Sequence, residues 1–200
     1  MKGGAFHIGS DDIRALRELS GALDGIDGMI SAAINRTADW AQREAVEMIE
    51  SKVAFPANYL VGEQRLRVYS SLPSRLSAVI TARFRSTQLS RFATNLPVAG
   101  KRVTPRVQVS PGRDSEMRSA FFMKLKRGTA MTGNVGIAMR EEAYDKYAGA
   151  GWSGYSWEGV KILYGPSVSQ VFSSYASDSL TDIGKRLVLE FNEEVKRKFS

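Results

Sequence analysis

Val160-Lys161-Ile162-Leu163-Tyr164-Gly165-Pro166-Ser167-Val168-Ser169-Gln170-Val171-Phe172 compresses a strand, a tight turn and the start of a helix into thirteen residues. Ile162 and Tyr164 fall on one face of a strand, Gly165 permits an unusual backbone angle, and Pro166 suits the first helical position, where its missing N–H costs nothing. Ser167 then opens a helix that carries Val168, Val171 and Phe172 on one side. Taken alone, the segment is a strand-to-helix corner of a kind found in many folds.

On either side of this corner the hydrophobic period names the other elements. Ile13, Leu16, Leu19 and Leu23 predict a short amphipathic helix over 12–23, and residues 25–28 break it. Ile30, Ala33, Ile34, Ala38, Ala41, Ala45, Met48 and Ile49 line one face of a long helix over 29–51, which Phe55-Pro56 ends. From residue 64 the period becomes two. Leu66 and Val68 alternate with Arg65, Arg67 and Tyr69, while Leu76, Ala78, Ile80, Ala82 and Phe84 alternate with Ser77, Val79, Thr81, Arg83 and Arg85. Val103, Val107 and Val109 continue the alternation around Pro105, which implies an edge or a bulge there.

Residues 121–126 and 135–140 read as two more strands joined by a glycine-containing turn over 127–134. The links are too short for parallel crossovers, so an antiparallel sheet of about five or six strands is expected. Residues 141–159 read as a loop, with Tyr147, Trp152, Tyr155 and Trp157 as candidate interface anchors or a lid on the sheet. Leu180, Ile183, Leu187, Phe191 and Val195 mark a final helix, with Asp178 and Asp182 at its start and Lys196, Arg197 and Lys198 at its end, as the helix dipole favours. The expected class is α+β: N-terminal helices, one of them long, a central antiparallel sheet and a C-terminal helix. A single domain is expected over 1–200, an α+β core from 25 and a peripheral or flexible helical arm over 1–24.

Two hundred residues, 43% hydrophobic and 24% charged, lie in the normal globular range and suffice for a sizeable core. No apolar run approaches the roughly 20 residues of a membrane-spanning helix. The N-terminus carries no basic, apolar, small-residue leader, so no secretory signal is expected. With no cysteine, disulfides, thiolate metal sites and cysteine nucleophiles are excluded. The one histidine, His7, falls in a glycine-rich start expected to be disordered, which leaves a serine–histidine triad or a zinc site little to work with. Asp11-Asp12 reads as capping charge ahead of a helix. No catalytic residue, metal ligand or cofactor-binding motif is assigned, and an enzyme is not expected.

The net charge of +7 is unevenly spread. Residues 64–127 hold fourteen Lys and Arg against Asp114 and Glu116, so this stretch stands at +12 and the rest of the chain at −5. Arg83, Arg85, Arg91, Arg102 and Arg106 are candidates for contact with phosphate backbones, without sequence readout, or with acidic surfaces of neighbouring subunits. A merely solvated face is the third reading. Asp114 and Glu116 would be the remaining basis for a metal-dependent nuclease.

Leu163-Tyr164-Gly165-Pro166-Ser167, followed by an apolar pair, resembles the C-terminal signature of the minor tail protein Z family of long-tailed bacteriophages. Ile34-Asn35-Arg36-Thr37-Ala38 with Arg43 and Glu44, Ala78-Val79-Ile80 with Phe84, Arg91-Phe92, the 103–109 strand and Ala120-Phe121-Phe122 are similar, in order, to other parts of that pattern. The likeness covers roughly residues 25–175. It departs from the family at Met139-Arg140-Glu141 and in the insert-like residues 149–157.

The resemblance implies a structural virion protein, a minor tail protein that completes the tail and joins it to the head at the head-proximal end or neck. A closed ring of the chain itself is expected, of six copies to match tail symmetry, with DNA passing through its channel. Residues 96–101 and 149–157 are the loops expected to engage the next ring. Implied partners are neighbouring neck and tail proteins and, without sequence specificity, genomic DNA. No cofactor, membrane or small-molecule substrate is implied, and assembly would take place in the bacterial host cytoplasm. The alternative is a non-specific DNA-binding module acting through a basic sheet face, for which steep salt dependence would be diagnostic.

Overall fold

The computed structural model describes residues 5–8, 25–99, 101–125, 135–146 and 153–199, with the backbone alone at 5–8, 146, 153, 155 and 157. The chain forms two compact units, one drawn from the residues up to Ile49, Leu60–Phe84 and Val168 onward, the other from Glu50–Tyr59 and Arg85–Ser167. Each unit has its own sheet.

In the first unit the long helix α1 (Ile26–Lys52) buries Ile30, Ala33, Ile34, Ala38, Ala41, Ala45 and Ile49, the face its three-and-four spacing marks out. Each fully buried Ile here contributes about 1.5–3 kcal/mol. Thr37 is also buried, and its hydroxyl is satisfied within the helix by donating to the Ala33 carbonyl at 2.8 Å. Strands β1 (Ala5–Ile8), β2 (Leu66–Tyr69) and β3 (Ala78–Ala82) form an antiparallel sheet in the order β1-β3-β2. The start of the chain, expected to be disordered, thus supplies a strand at residues 5–8. Its pairing with β3 places His7 opposite Val79. Backbone pairing, which composition does not reveal, is the reason for the difference. The helix expected over 12–23 lies outside the described residues.

Ala78, Ile80 and Ala82 are buried in alternation along β3, as the period of two predicts. Phe84 breaks the pattern. It lies two residues beyond the strand end and is exposed, because the pleat that would turn it inward has stopped. Polar side chains of α1 hold the strands in place. Asn35 exchanges both amide hydrogen bonds with the Ser71 backbone, at 2.6 and 3.1 Å, and the Gln42 side chain donates to the Leu66 carbonyl at 3.0 Å.

The second unit is organised around the strand that carries the Tyr164 corner. β4 (Thr87–Gln88), β7 (Ala120–Lys124), β8 (Val135–Arg140), β9 (Ser153–Trp157) and β10 (Val160–Gly165) make a five-stranded antiparallel sheet. Along one edge β10 pairs with β9 over Val160 to Tyr164; along the other it pairs first with β8 and then, at Tyr164 and Gly165, with β4. β5 (Arg106–Ser110) and β6 (Arg113–Glu116) form a separate hairpin. Pro105 precedes β5 rather than lying within a 103–109 strand, since a residue without an N–H cannot extend the ladder. Its carbonyl instead accepts from the Met117 amide at 2.9 Å.

The stretch 141–159 is not a continuous loop. It contains a short helix, α2 (Glu141–Lys146), and the strand β9. The β9–β10 turn places Glu158 at φ 49° and Gly159 at φ 76°, the pair of positive angles that a tight hairpin turn requires. The turn expected over 127–134 lies outside the described residues.

The chain ends in the first unit with α3 (Val168–Asp178) and α4 (Leu180–Phe199). Val168 and Phe172 are buried, Tyr175 donates to the Ala41 carbonyl at 3.3 Å, and Arg36 on α1 forms ion pairs with Glu190 and Glu194 on α4. The fold is α+β with antiparallel sheets throughout, a long helix early and a helix at the end. Its ten described strands are divided among three sheets, the largest of five.

Candidate functional site

The five candidate arginines do not share one element. Arg83 belongs to the first unit, just past β3, while Arg85, Arg91, Arg102 and Arg106 belong to the second. Arg91 closes the 3₁₀ turn Leu89–Phe92 and lays its guanidinium over the Tyr59 ring, 5.1 Å from the centroid. Arg106 pairs with Glu116 across the β5–β6 hairpin at 3.6 Å, and Arg118 approaches the same carboxylate at 3.7 Å. Glu116, named for a metal-dependent nuclease, is thus engaged in ion pairs. Among the described residues no group of three or more His, Asp or Glu is placed to hold a metal ion.

Arg83 acquires neighbours that the charge tally alone does not identify. The β2–β3 register sets Leu66 against Ala82 and Arg67 against Thr81, so Arg65 and Arg83 lie opposite one another one residue further on. The Arg83 amide donates to the Arg65 carbonyl at 2.8 Å. Leu66 turns inward, which puts Arg65, Arg67 and Tyr69 on the other face of β2 with Thr81 and Arg83. Together with Gln64 and Ala82 they line a cleft of about 320 Å³. Gln64 sits in the left-handed region at φ 54°, and its carbonyl accepts from Arg67 Nε at 3.0 Å, which fixes the plane of that guanidinium. Arg65 donates to Glu63 at 2.9 Å. The alternation of Arg65-Leu66-Arg67-Val68-Tyr69 was a sufficient signal for the shared face, whereas the partner across the ladder was not legible.

In the second unit a side-chain clamp fixes the foot of an exposed loop. Asn95 donates from Nδ2 to the Thr104 carbonyl and accepts at Oδ1 from the Arg106 amide, both at 2.8 Å, and the Thr94 amide donates to the Arg106 carbonyl at 2.9 Å. Leu96 and Val98 project beyond this clamp, 78% and 51% exposed, with Lys101 and Arg102 also exposed. Two large apolar side chains are thus left in water on a well-footed loop. A second apolar exposure lies on α4 in the first unit. Ile183 and Leu187 are buried, but Leu180, Val188 and Leu189 are each more than half exposed.

The aromatic candidates of the 147–157 segment stand apart from these features. Tyr147 and Trp152 fall outside the described residues, and Tyr155 and Trp157 lie on β9, paired with Ile162 and Val160 of β10. Tyr144, on α2, receives the Lys161 ammonium 4.3 Å from its ring centroid and joins Met117, Met139 and Leu163 around a cavity of about 280 Å³.

The corner itself has a different rationale from the one expected. Gly165 does not occupy the left-handed region. It is required by space, because a Cβ there would lie 2.9 Å from Phe92 Cε2. Pro166 stands two residues ahead of α3 rather than at its first position, its carbonyl accepting from the Thr87 amide at 3.4 Å, and Ser167 is buried immediately before the helix.

No helix of the described residues is long and apolar enough to cross a membrane. Comparison of the chain with protein-family models, with curated proteins and with solved structures gives no match in any of the three.

Proposed function

We propose that this chain is a structural virion protein of a long-tailed bacteriophage, closing into a ring at the head-proximal end of the tail or in the neck, where it completes the tail, joins it to the head and lets DNA pass. The observation that carries this reading is that, among several exposed apolar side chains, two sets stand on dissimilar elements, Leu96 with Val98 on the clamped loop and Val188 with Leu189 on α4. A ring built head to tail needs two different patches on each copy, one for each neighbour, whereas a two-fold dimer uses one patch twice. The tail assignment rests on the resemblance carried by Leu163-Tyr164-Gly165-Pro166-Ser167. Six copies would match tail symmetry, with neck and tail proteins as the flanking partners.

A second reading, a non-specific DNA-binding module, is favoured by the three guanidiniums gathered in the β2–β3 cleft. Electron microscopy of the concentrated protein tests the first reading. Rings that disappear in the Leu96→Asp, Val98→Asp double variant, with the circular dichroism unchanged, support it. An absence of rings from the parent protein at every concentration contradicts it.

A further inference from the structure

We infer that the β2–β3 cleft is a phosphate-binding site that takes the phosphodiester backbone of a nucleic acid, with Arg65, Arg67 and Arg83 as its cationic groups. The inference rests on the nucleic-acid contact that both functional readings contain and adds the place where it is made. Like charges directly opposite on an antiparallel pair are destabilising, yet Arg65 and Arg83 face each other across the ladder and Arg67 follows on the same face. Glu63 offsets one of the three charges through Arg65. Among the described residues of the lining, three arginines therefore stand beside the one Glu63 carboxylate, a balance that an anionic ligand of spaced single charges would complete.

The chemistry of the walls fits the same ligand. Each guanidinium has five N–H donors, and that of Arg67 commits Nε to the Gln64 carbonyl, so its orientation is set before a ligand arrives. The left-handed backbone at Gln64 that supports this bond is the kind of locally costly conformation found at binding sites. Thr81 adds a hydroxyl donor, and Tyr69, half-exposed at the end of β2, offers an aromatic face on which a base of any identity can stack. None of these groups reads a base edge, so binding is independent of sequence.

Fluorescence anisotropy of the full chain with labelled single-stranded and duplex oligonucleotides, over a salt series, tests the site. The parent protein is expected to bind, and Arg67→Gln with Arg83→Gln to weaken binding roughly tenfold and to reduce the salt slope by about 2, one for each lost phosphate contact. Arg113→Gln with Arg118→Gln, on and beside β6, is the control and leaves the slope unchanged. If the cleft variant lowers the melting temperature, Arg67→Lys with Arg83→Lys replaces it. The lysine pair keeps the slope while losing affinity, because charge is retained and the planar fork is not.

Unchanged affinity and slope in the cleft variant, with a parent that binds DNA, overturn the site and leave the nucleic-acid reading standing. A parent that binds no oligonucleotide at low salt overturns both. Binding of inorganic phosphate, followed by calorimetry, in a protein that binds no oligonucleotide would assign the cleft to free phosphate and overturn the inference. A cleft variant that loses self-association but not DNA binding would assign the arginines to an acidic surface of a second copy, and would equally overturn it.

Discussion

Gly165 lies against the ring of Phe92, so close that a Cβ on the glycine would stand 2.9 Å from Cε2 and 3.4 Å from Cδ2. Phe92 is itself buried and packs on Phe55 at 5.4 Å, which leaves the ring little room to swing aside. Gly165→Ala is expected to destabilise the protein by about 1–3 kcal/mol through overpacking. Combining it with Phe92→Leu, which removes the ring edge, should cost less than the two changes separately, with a coupling of about 0.5 kcal/mol or more in urea denaturation. Strict additivity would show that the contact with Phe92 is not what excludes a side chain.

The Asn95 clamp makes a prediction that is local. Asn95→Ala removes two hydrogen bonds at the foot of the 96–103 loop, for a cost of about 1–3 kcal/mol. Asn95→Asp keeps the acceptor for the Arg106 amide but sets a carboxylate oxygen against the Thr104 carbonyl, so it should also loosen the loop. Hydrogen exchange and limited proteolysis should register the change in the loop well before the global unfolding midpoint moves. Equal protection in all three proteins would mean that the loop is held by something other than Asn95.

Tyr175 supplies the pH dependence. Burial raises its pKa above the ordinary 10.0, and the nearby Glu44 and Asp182 carboxylates push the same way against a lowering hydrogen bond with Ser179. Above the unfolded value the unfolded chain releases the tyrosine proton first and the folded one retains it, so stability falls as pH rises through this range. The contribution is fully present below about pH 10. Tyr175→Phe should lessen the alkaline loss, and it should remove from the ultraviolet absorbance titration a tyrosine ionisation lying above the ordinary 10.0. A variant that loses stability above pH 10 as steeply as the parent would count against the assignment.

The exposed apolar side chains of α4 separate assembly from folding. Val188 is 60% exposed and Leu189 58%, so Val188→Asp should alter the unfolding free energy by no more than about 0.5 kcal/mol. Its expected effect is on self-association, measured by sedimentation velocity. Normal assembly by this variant would remove the helix from the proposed contact.

Much of the fold was legible because burial and period coincide. Ala33, Ile34, Ala38, Ala41 and Ala45 are at helical spacing and buried, and Ala78, Ile80 and Ala82 alternate and are buried. Interrupted periods and long-range pairing were not legible. The strand at residues 5–8 exists through its partner β3, and the strand at Ser153–Trp157 through β10. The same reason limited the reading of the site. Arg83 could be named from composition, but its meeting with Arg65 depends on the β2–β3 register, and the Asn95 clamp on a backbone approach between residues 94–95 and 104–106.

The central claim is that identical copies close into a ring, and the mass of the purified protein in solution tests it most directly. Light scattering over a range of concentration and salt, with and without DNA, should give a discrete closed oligomer, six copies of the 22.0 kDa chain, that forms without DNA. A protein that remains monomeric at every concentration, yet binds DNA with an affinity falling steeply as salt rises, would contradict the ring and leave the DNA-binding module in its place.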